Sequence, residues 1–347
     1  MKKDSKDIKG KGYENIQKWW TTFANSVMKD YTKILKHKDY RGDKIIKHDY
    51  DQMALNEPKC RYADIFCIDD TRVILKREFG NIGKDGTEKT DFIHANWITQ
   101  KRMHQKYILC QGPMENTVED MWEMLYQENV GALVMLCNAQ ENGLEKCVTY
   151  WPEGQQSYGP YNVKLVNKIE TILEESEIRE FEITPPNNIT RNIFHFQVKH
   201  WPDHLAPDDP TYLLRLLKEC KRYSNGRVIA THCSAGIGRS GTFVALQYLY
   251  VGMREHGVSE PMKLINDIRK QRHGAVQSYI QYAYCLVALG ELFAEKGILT
   301  RNELHDKVLK NYKIYLKKTF YQIHKRTKRK HTKKPEFMVQ DTNIENN

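Results

Sequence analysis

The chain has 347 residues, 40% of them hydrophobic and 28% charged, enough to bury one substantial core or two ordinary ones. No run of about 18 apolar residues occurs, and the opening MKKDSKDIKGKG lacks the apolar centre of a signal peptide, which together predict a soluble, intracellular protein. The net charge of +10 is not that of a nucleic-acid-binding fold: residues 313–334 hold ten Lys or Arg and no acid, and subtracting them from 54 leaves 44 basic residues against 44 acidic ones.

Residues 1–14 are expected to form a flexible lead. From Asn15 to about His37, Ile16, Trp19, Trp20, Phe23, Val27, Met28 and Tyr31 recur at helical spacing, which predicts an opening helix packed onto the body by its apolar face. Between residues 60 and 200 strands dominate: RVIL (72–75), DFIHANWI (91–98), KYILC (106–110), GALVMLC (131–137), YNVKLV (161–166) and NIFHFQV (192–198). A helix over Thr117–Gln127 follows a Gly-Pro, and Lys84–Lys89, charged and Gly-rich, is the expected exposed loop. After residue 208 helices are predicted at Thr211–Tyr223, Ser240–Glu255, Met262–Arg272 and Tyr279–Phe293, with the apolar strand RVIATH (227–232) between the first two. The pattern is that of an α/β domain with a mixed sheet. Residues 298–347 read as a C-terminal helix and a basic tail, outside a domain spanning 15–297. Eight cysteines (60, 67, 110, 137, 147, 220, 233 and 285) form no CxxC pair, so free thiols in a reducing compartment are the simpler reading.

The sharpest feature is HCSAGIGRSGT at 232–242, at the turn from RVIATH into a helix. A loop of small residues lets backbone N–H groups converge on one anion, and the helix N-terminus adds partial positive charge. Ser234, Ala235, Gly236, Ile237 and Gly238 form this bowl, and Cys233 lies at its base, where the same field favours the thiolate. Arg239 can grip two oxygens of a phosphate bidentately. A buried structural cysteine would need neither the two glycines nor the arginine.

HC, five residues, then RS resembles the signature loop of the protein tyrosine phosphatases. That resemblance implies their fold, a central twisted mixed sheet flanked by helices, and hydrolysis of phosphotyrosine in proteins through a phosphocysteine at Cys233, antagonising tyrosine kinases. It further implies that His232 helps hold the thiolate and that Ser240 assists breakdown of the intermediate. WPDHLAP (201–207) resembles the family's mobile acid loop, with Asp203 as proton donor and Trp201 and Pro202 at its hinge. His204 departs from the aromatic ring often found there. VQSYIQY supplies Gln277 and Gln281, the expected positioners of the hydrolytic water. KCRYADI (59–65) resembles the substrate-recognition loop, in which Tyr62 walls the cleft and Asp64 holds the peptide backbone. QENGLEKCVTYWP (140–152) resembles the loop whose Glu141 orients Arg239 and whose Lys146 approaches Asp203; YILCQGPMENTVEDMWEM (107–124) is a scaffold signature.

The resemblance covers residues 15 to 297 and implies neither metal nor cofactor. Its partners are phosphotyrosine proteins. The tail, KKTFYQIHKRTKRKHTKKP (317–335), reads as a nuclear targeting signal, a patch for acidic membranes or nucleic acid, or a solvated end. The expected location is the cytoplasm, with the nucleus as the alternative that the tail raises. Single-domain enzymes of this look occur in nematodes and in the bracoviruses of parasitoid wasps, for which the location would be the host cytoplasm. Two other readings stay open: an inactive phosphotyrosine-binding module, and a dual-specificity or RNA 5′-phosphatase. No catalytic position carries a disabling substitution, and the loop lacks the lysine typical of lipid phosphatases, so an active tyrosine-specific enzyme is expected.

Overall fold

The computed structural model of the chain describes residues 2–29, 49–83, 86–171, 173 and 176–332. Helix α1 (Lys2–Lys29) buries Ile16, Trp20, Phe23 and Ala24. It starts at Lys2, so helix replaces the expected flexible lead. Gly12 supplies one reason, because a Cβ there would lie 2.6 Å from the Arg254 carbonyl; the missing side chain lets this end pack tightly. The predicted continuation from residue 30 to His37 lies outside the described residues.

After the short α2 (Asp51–Leu55) come β1 (Arg72–Ile74), β2 (Phe92–Ile98), β3 (Tyr107–Cys110), α3 (Val118–Gln127) and β4 (Val130–Met135). A two-stranded ribbon, β5 (Gln140–Glu141) and β6 (Leu144–Glu145), precedes the meander β7 (Gln155–Tyr158), β8 (Tyr161–Ile169), β9 (Ser176–Thr184) and β10 (Arg191–Val198). Then follow α4 (Tyr212–Ser224), β11 (Val228–His232), α5 (Arg239–Glu255), α6 (Pro261–Arg269), α7 (Tyr279–Glu295) and α8 (Glu303–Thr332). The sequence reading did not anticipate β5, β6, β7 or β9, and it carried α6 to Arg272, whereas the helix stops at Arg269. Of the expected loop at Lys84–Lys89, residues 84 and 85 lie outside the described residues, and Glu88 forms an isolated antiparallel bridge with Ile82.

The main sheet runs β1-β2-β3-β11-β4-β10-β9-β8-β7. Its centre is parallel, with β11 paired to β3 on one side and β4 on the other, and β4 paired to β10. Antiparallel strands complete both edges. Every residue of β3 and β4 is buried, as expected of parallel strands covered on both faces. Residue His232, the last of β11, pairs with Cys110 and Met135, so the following loop leaves the sheet at its middle, beyond the carboxyl ends of parallel strands.

Helices α5 and α7 are apolar almost all round and form the centre of the helical layer. Helix α8 packs on α7 and α1. Its residues His305, Val308, Tyr312, Tyr315 and Thr319 are buried and recur at alternating intervals of three and four, a narrow seam on an otherwise Lys-rich helix. The basic region that the sequence assigned to the tail from residue 313 therefore begins inside a packed helix. Glu291 of α7 and His305 of α8 meet at 2.6 Å, and Arg301 pairs with the same carboxylate.

Gly290 of α7 lies under the Trp20 ring of α1, where an added Cβ would sit 2.3 Å from a ring carbon. Gly→Ala in a free helix gains about 1 kcal/mol. Here overpacking, which costs about 1–3 kcal/mol, opposes that gain. We expect Gly290→Ala to lower the urea midpoint; a raised midpoint would show that α1 yields without strain.

Candidate active site

The loop after β11 is held by its carbonyls. The Cys233 carbonyl accepts from His232 Nδ1 (3.0 Å) and that of Ser234 from the Gly112 N–H (2.8 Å). The carbonyl of Ala235 accepts from Arg272 Nη2 (2.9 Å) and that of Gly236 from Arg272 Nε (3.2 Å). Ile237 accepts from the N–H groups of Gly241 (3.1 Å) and Val276 (3.0 Å), and Gly238 from that of Thr242 (3.0 Å). In a trans peptide the N–H points away from the preceding carbonyl. With these six carbonyls tied outward, the N–H groups of residues 234–239 turn to the opposite side, and none donates to an acceptor among the described residues. Such a concave row of open donors at the start of α5 is an anion site.

Two residue types make the loop possible. Gly236 has φ of 69°, and a Cβ there would lie 1.9 Å from the Cys110 carbonyl oxygen, so no other residue fits. Arg272 is fully buried and also donates to His94 Nδ1 (3.0 Å) and Asn96 Oδ1 (2.8 Å). Burial pushes its pKa down from the ordinary arginine value, and the nearby thiols, Cys67 first, push the other way. Sequence reading missed Arg272 because its partners are loop carbonyls, which no side-chain motif announces.

Arg239 opens α5 with its side chain buried. Its Nη1 and Nη2 meet the two carboxylate oxygens of Glu141 at 2.6 and 3.1 Å, and Nη1 also donates to the Trp201 carbonyl (2.9 Å). Its Nε has no partner among the described residues, and neither has the buried Ser240 hydroxyl. Asp203 lies 3.4 Å from Arg239 Nη2 and 2.9 Å from Lys146 Nζ. Burial raises the Asp203 pKa, but Arg239 and Lys146 outweigh it and hold the carboxyl below its ordinary range. The expected contacts of Glu141 with Arg239 and of Lys146 with Asp203 are thus both present.

Tyr62 stands beside the loop, its hydroxyl 2.7 Å from Ser234 Oγ, which in turn donates to the Lys146 carbonyl (3.0 Å). Gln111 and Arg61 brace this wall. The Gln111 amide bonds the Lys59 carbonyl and the Arg61 N–H, and Arg61 donates to the carbonyls of Gly112 and Pro113. Asp64 is exposed on the same segment. The two glutamines separate. Gln277 is exposed at the rim, its Oε1 2.9 Å from where a Gly238 Cβ would be. Gln281 is fully buried and committed at both ends: it caps α7 through the Ser278 N–H and donates to the Leu205 carbonyl (3.3 Å).

Behind the loop, Tyr150 links two buried imidazoles, with its hydroxyl 2.7 Å from His232 Nε2 and 3.1 Å from His195 Nε2. Burial lowers the His195 pKa well below its ordinary value, so that ring is neutral. The Cys137 and Cys147 thiols and a His232 nitrogen lie within 4.8 Å of one another, the ligand types of a soft metal. Both His232 nitrogens already have partners, one at the Cys233 carbonyl and one at Tyr150. Metal binding here would have to break the chain that holds the loop.

Gly236→Ala should abolish saturable binding of inorganic phosphate and lower stability by about 3 kcal/mol or more, from a clash with backbone plus φ strain. Calorimetric titration and denaturant unfolding read the two effects; retained phosphate affinity would place the anion elsewhere.

The sequence model of the family described as protein-tyrosine phosphatase matches residues 56–291, which contain every site residue named above. Tyrosine-protein phosphatase 2 of Dictyostelium discoideum is 37% identical over 226 residues, covering 62% of this chain and 58% of that protein. Tyrosine-protein phosphatase non-receptor type 7 of Mus musculus is 36% identical over 230 residues, covering 65% and 61%. Receptor-type tyrosine-protein phosphatase F of Rattus norvegicus is 32% identical over 255 residues, covering 72% and 13%. The chain thus spans less than two thirds of the length of these relatives. With the loop geometry and the family match coinciding on the same residues, the chain belongs to the protein-tyrosine phosphatase family.

Proposed function

We propose that the protein hydrolyses phosphotyrosine in proteins through a phosphocysteine at Cys233. The observation that carries this reading is the row of open N–H groups from residues 234–239 beside Cys233, with Arg239 and Asp203 3.4 Å apart at its mouth. The N–H groups and the open Arg239 Nε bind the three non-bridging phosphate oxygens, whose charge grows as the bond to the leaving group breaks. The Cys233 sulfur attacks phosphorus as the bond to the tyrosine oxygen breaks, and Asp203 gives its proton to the departing phenolate. Water placed by Gln277 then attacks phosphorus, Asp203 takes its proton, and the sulfur leaves with help from the Ser240 hydroxyl. Gln281 acts in this scheme through the acid loop it supports, and Asp64 holds the substrate backbone.

Asp203 must be protonated to act, yet in the free protein its neighbours hold it ionised. An arriving phosphate dianion offsets the positive field of Arg239 and Lys146 and raises the Asp203 pKa at the moment it is needed. The free-enzyme profile should therefore show kcat/KM falling as pH rises through the acidic range, since the protonated fraction shrinks. Asp203→Asn should remove that falling limb and slow phosphotyrosine peptide turnover by about 10²- to 10⁴-fold without weakening binding. An unchanged limb would take the acid role from Asp203. Cys233→Ser should abolish turnover while keeping affinity for phosphotyrosine peptide, and substantial residual activity would sink the covalent route.

Tyr62 sets specificity by depth, because a cradle behind this wall is reached by the long, rigid phosphotyrosine side chain and not by phosphoserine. An aromatic contact is worth about 0.5–1.5 kcal/mol beyond burial, so Tyr62→Ala should cost about tenfold in kcat/KM on a phosphotyrosine peptide. Equal rates for matched phosphotyrosine and phosphoserine peptides would favour the dual-specificity reading; no turnover with tight binding would favour the inactive module. The eight free cysteines fit action in a reducing cytoplasm, and no helix among the described residues is long and apolar enough to cross a membrane.

A further inference from the structure

The acid loop Trp201–Pro207 is tied carbonyl by carbonyl. The Trp201 carbonyl accepts from Arg239, the His204 carbonyl from Ser278 Oγ (3.0 Å), and the Leu205 carbonyl from Trp201 Nε1 (2.8 Å) and Gln281. All these donors lie within residues 56–291, the matched region. One tie does not. The hydroxyl of Tyr312, fully buried on α8, donates to the Pro207 carbonyl at 2.6 Å. Proline has no N–H and a fixed φ, so this carbonyl is its one polar backbone group. Pro207 is also where the loop rejoins the body: just beyond it, Tyr284 of α7 donates to the Pro210 carbonyl (3.1 Å) and accepts from the Leu213 N–H (3.2 Å). The Tyr284 and Tyr312 rings lie 6.2 Å apart, so α7 and α8 grip the same hinge side by side.

We propose that Tyr312 is a positioning residue for proton transfer, fixing the downstream hinge of the acid loop so that Asp203 stays over the cradle. The seam that buries Tyr312, together with the Glu291–His305 pair, makes α8 a working part of the site. The proposal rests on the phosphatase reading above. It assigns Tyr312 no contact with substrate.

A positioning role has a signature that simple destabilisation lacks. Proton donation matters in proportion to the basicity of the leaving group, and the tyrosine phenolate, whose conjugate acid has a pKa of about 10, needs it most. In the full chain, Tyr312→Phe keeps the ring and removes the hydroxyl. We expect it to lower kcat on a phosphotyrosine peptide about fivefold, the scale of one net hydrogen bond, with KM unchanged. On dinitrophenyl phosphate, whose leaving group needs no proton, kcat should stay within about twofold. In the Asp203→Asn background Tyr312→Phe should have no further effect on the peptide, because the group it positions is gone. Thermal unfolding confirms that each variant is folded. Equal losses on both substrates, no loss on the peptide, or a full additive loss in the Asp203→Asn background would overturn the proposal while leaving the phosphatase reading intact. A parent chain that turns over neither substrate would overturn that reading itself, and this inference with it.

Discussion

Six consecutive carbonyls, from Cys233 to Gly238, are captured from outside the loop, and the site follows from that constraint. A short loop cannot aim its N–H groups inward unless something holds its carbonyls outward, because each peptide unit is rigid. The holders come from all over the fold: Gly112 after β3, Arg272 after α6, Val276 before α7, and the first turn of α5. This explains why a guanidinium sits at the centre of the molecule despite the desolvation it suffers there. Arg272 donates to four acceptors, Ala235, Gly236, His94 and Asn96, which is the condition for burying such a group.

The second buried guanidinium has the opposite design. Arg239 is partly satisfied, by Glu141, the Trp201 carbonyl and Asp203, and partly open at Nε. Glu141 fixes the plane of the fork, so the open edge has a set direction before any ligand arrives. The ion pair with Asp203 has a double consequence. It ties the Trp201–Pro207 loop to the cradle, and together with Lys146 it holds the Asp203 carboxyl below its ordinary range. Loop position and proton affinity thereby share the Arg239 charge.

Much of this was legible in the sequence. The strands with continuous apolar runs, β3, β4 and β11, and the Cys233–Arg239 spacing carry strong local signals, and Glu141, Lys146, Tyr62 and Asp203 stand in recognisable segments. What escaped notice lacks such signals. β9, SEIREFEIT, carries charge on both faces, with Glu177 and Arg179 in line with Phe181 and Ile183 and with Glu180 and Glu182 opposite, so its apolar alternation was hidden. The α8 seam is a sparse stripe among lysines, and a count of charge from residue 313 onward reads as tail although Tyr315 and Thr319 are buried. Arg272 and Tyr150 act on backbone carbonyls and imidazoles brought from far along the chain, so their partners exist only after folding. For Gln281 the sequence placed the residue but not its contacts: three positions after Ser278 it is also a capping residue, its amide oxygen accepting from the Ser278 N–H while its nitrogen reaches the Leu205 carbonyl.

Strand β11 has one more consequence, through its place in the sheet. It lies between β3 and β4, which follow one another in sequence, yet it is made about a hundred residues after them. The centre of the sheet therefore cannot close while the chain is only partly synthesised; a gap must wait for the strand that carries His232 and Cys233. Pairing across so long a loop is costly in entropy and late in folding. Since Arg272 and Val276 follow later still, a nascent or half-folded chain has no organised cradle around Cys233, and the anion site forms only as the whole fold closes.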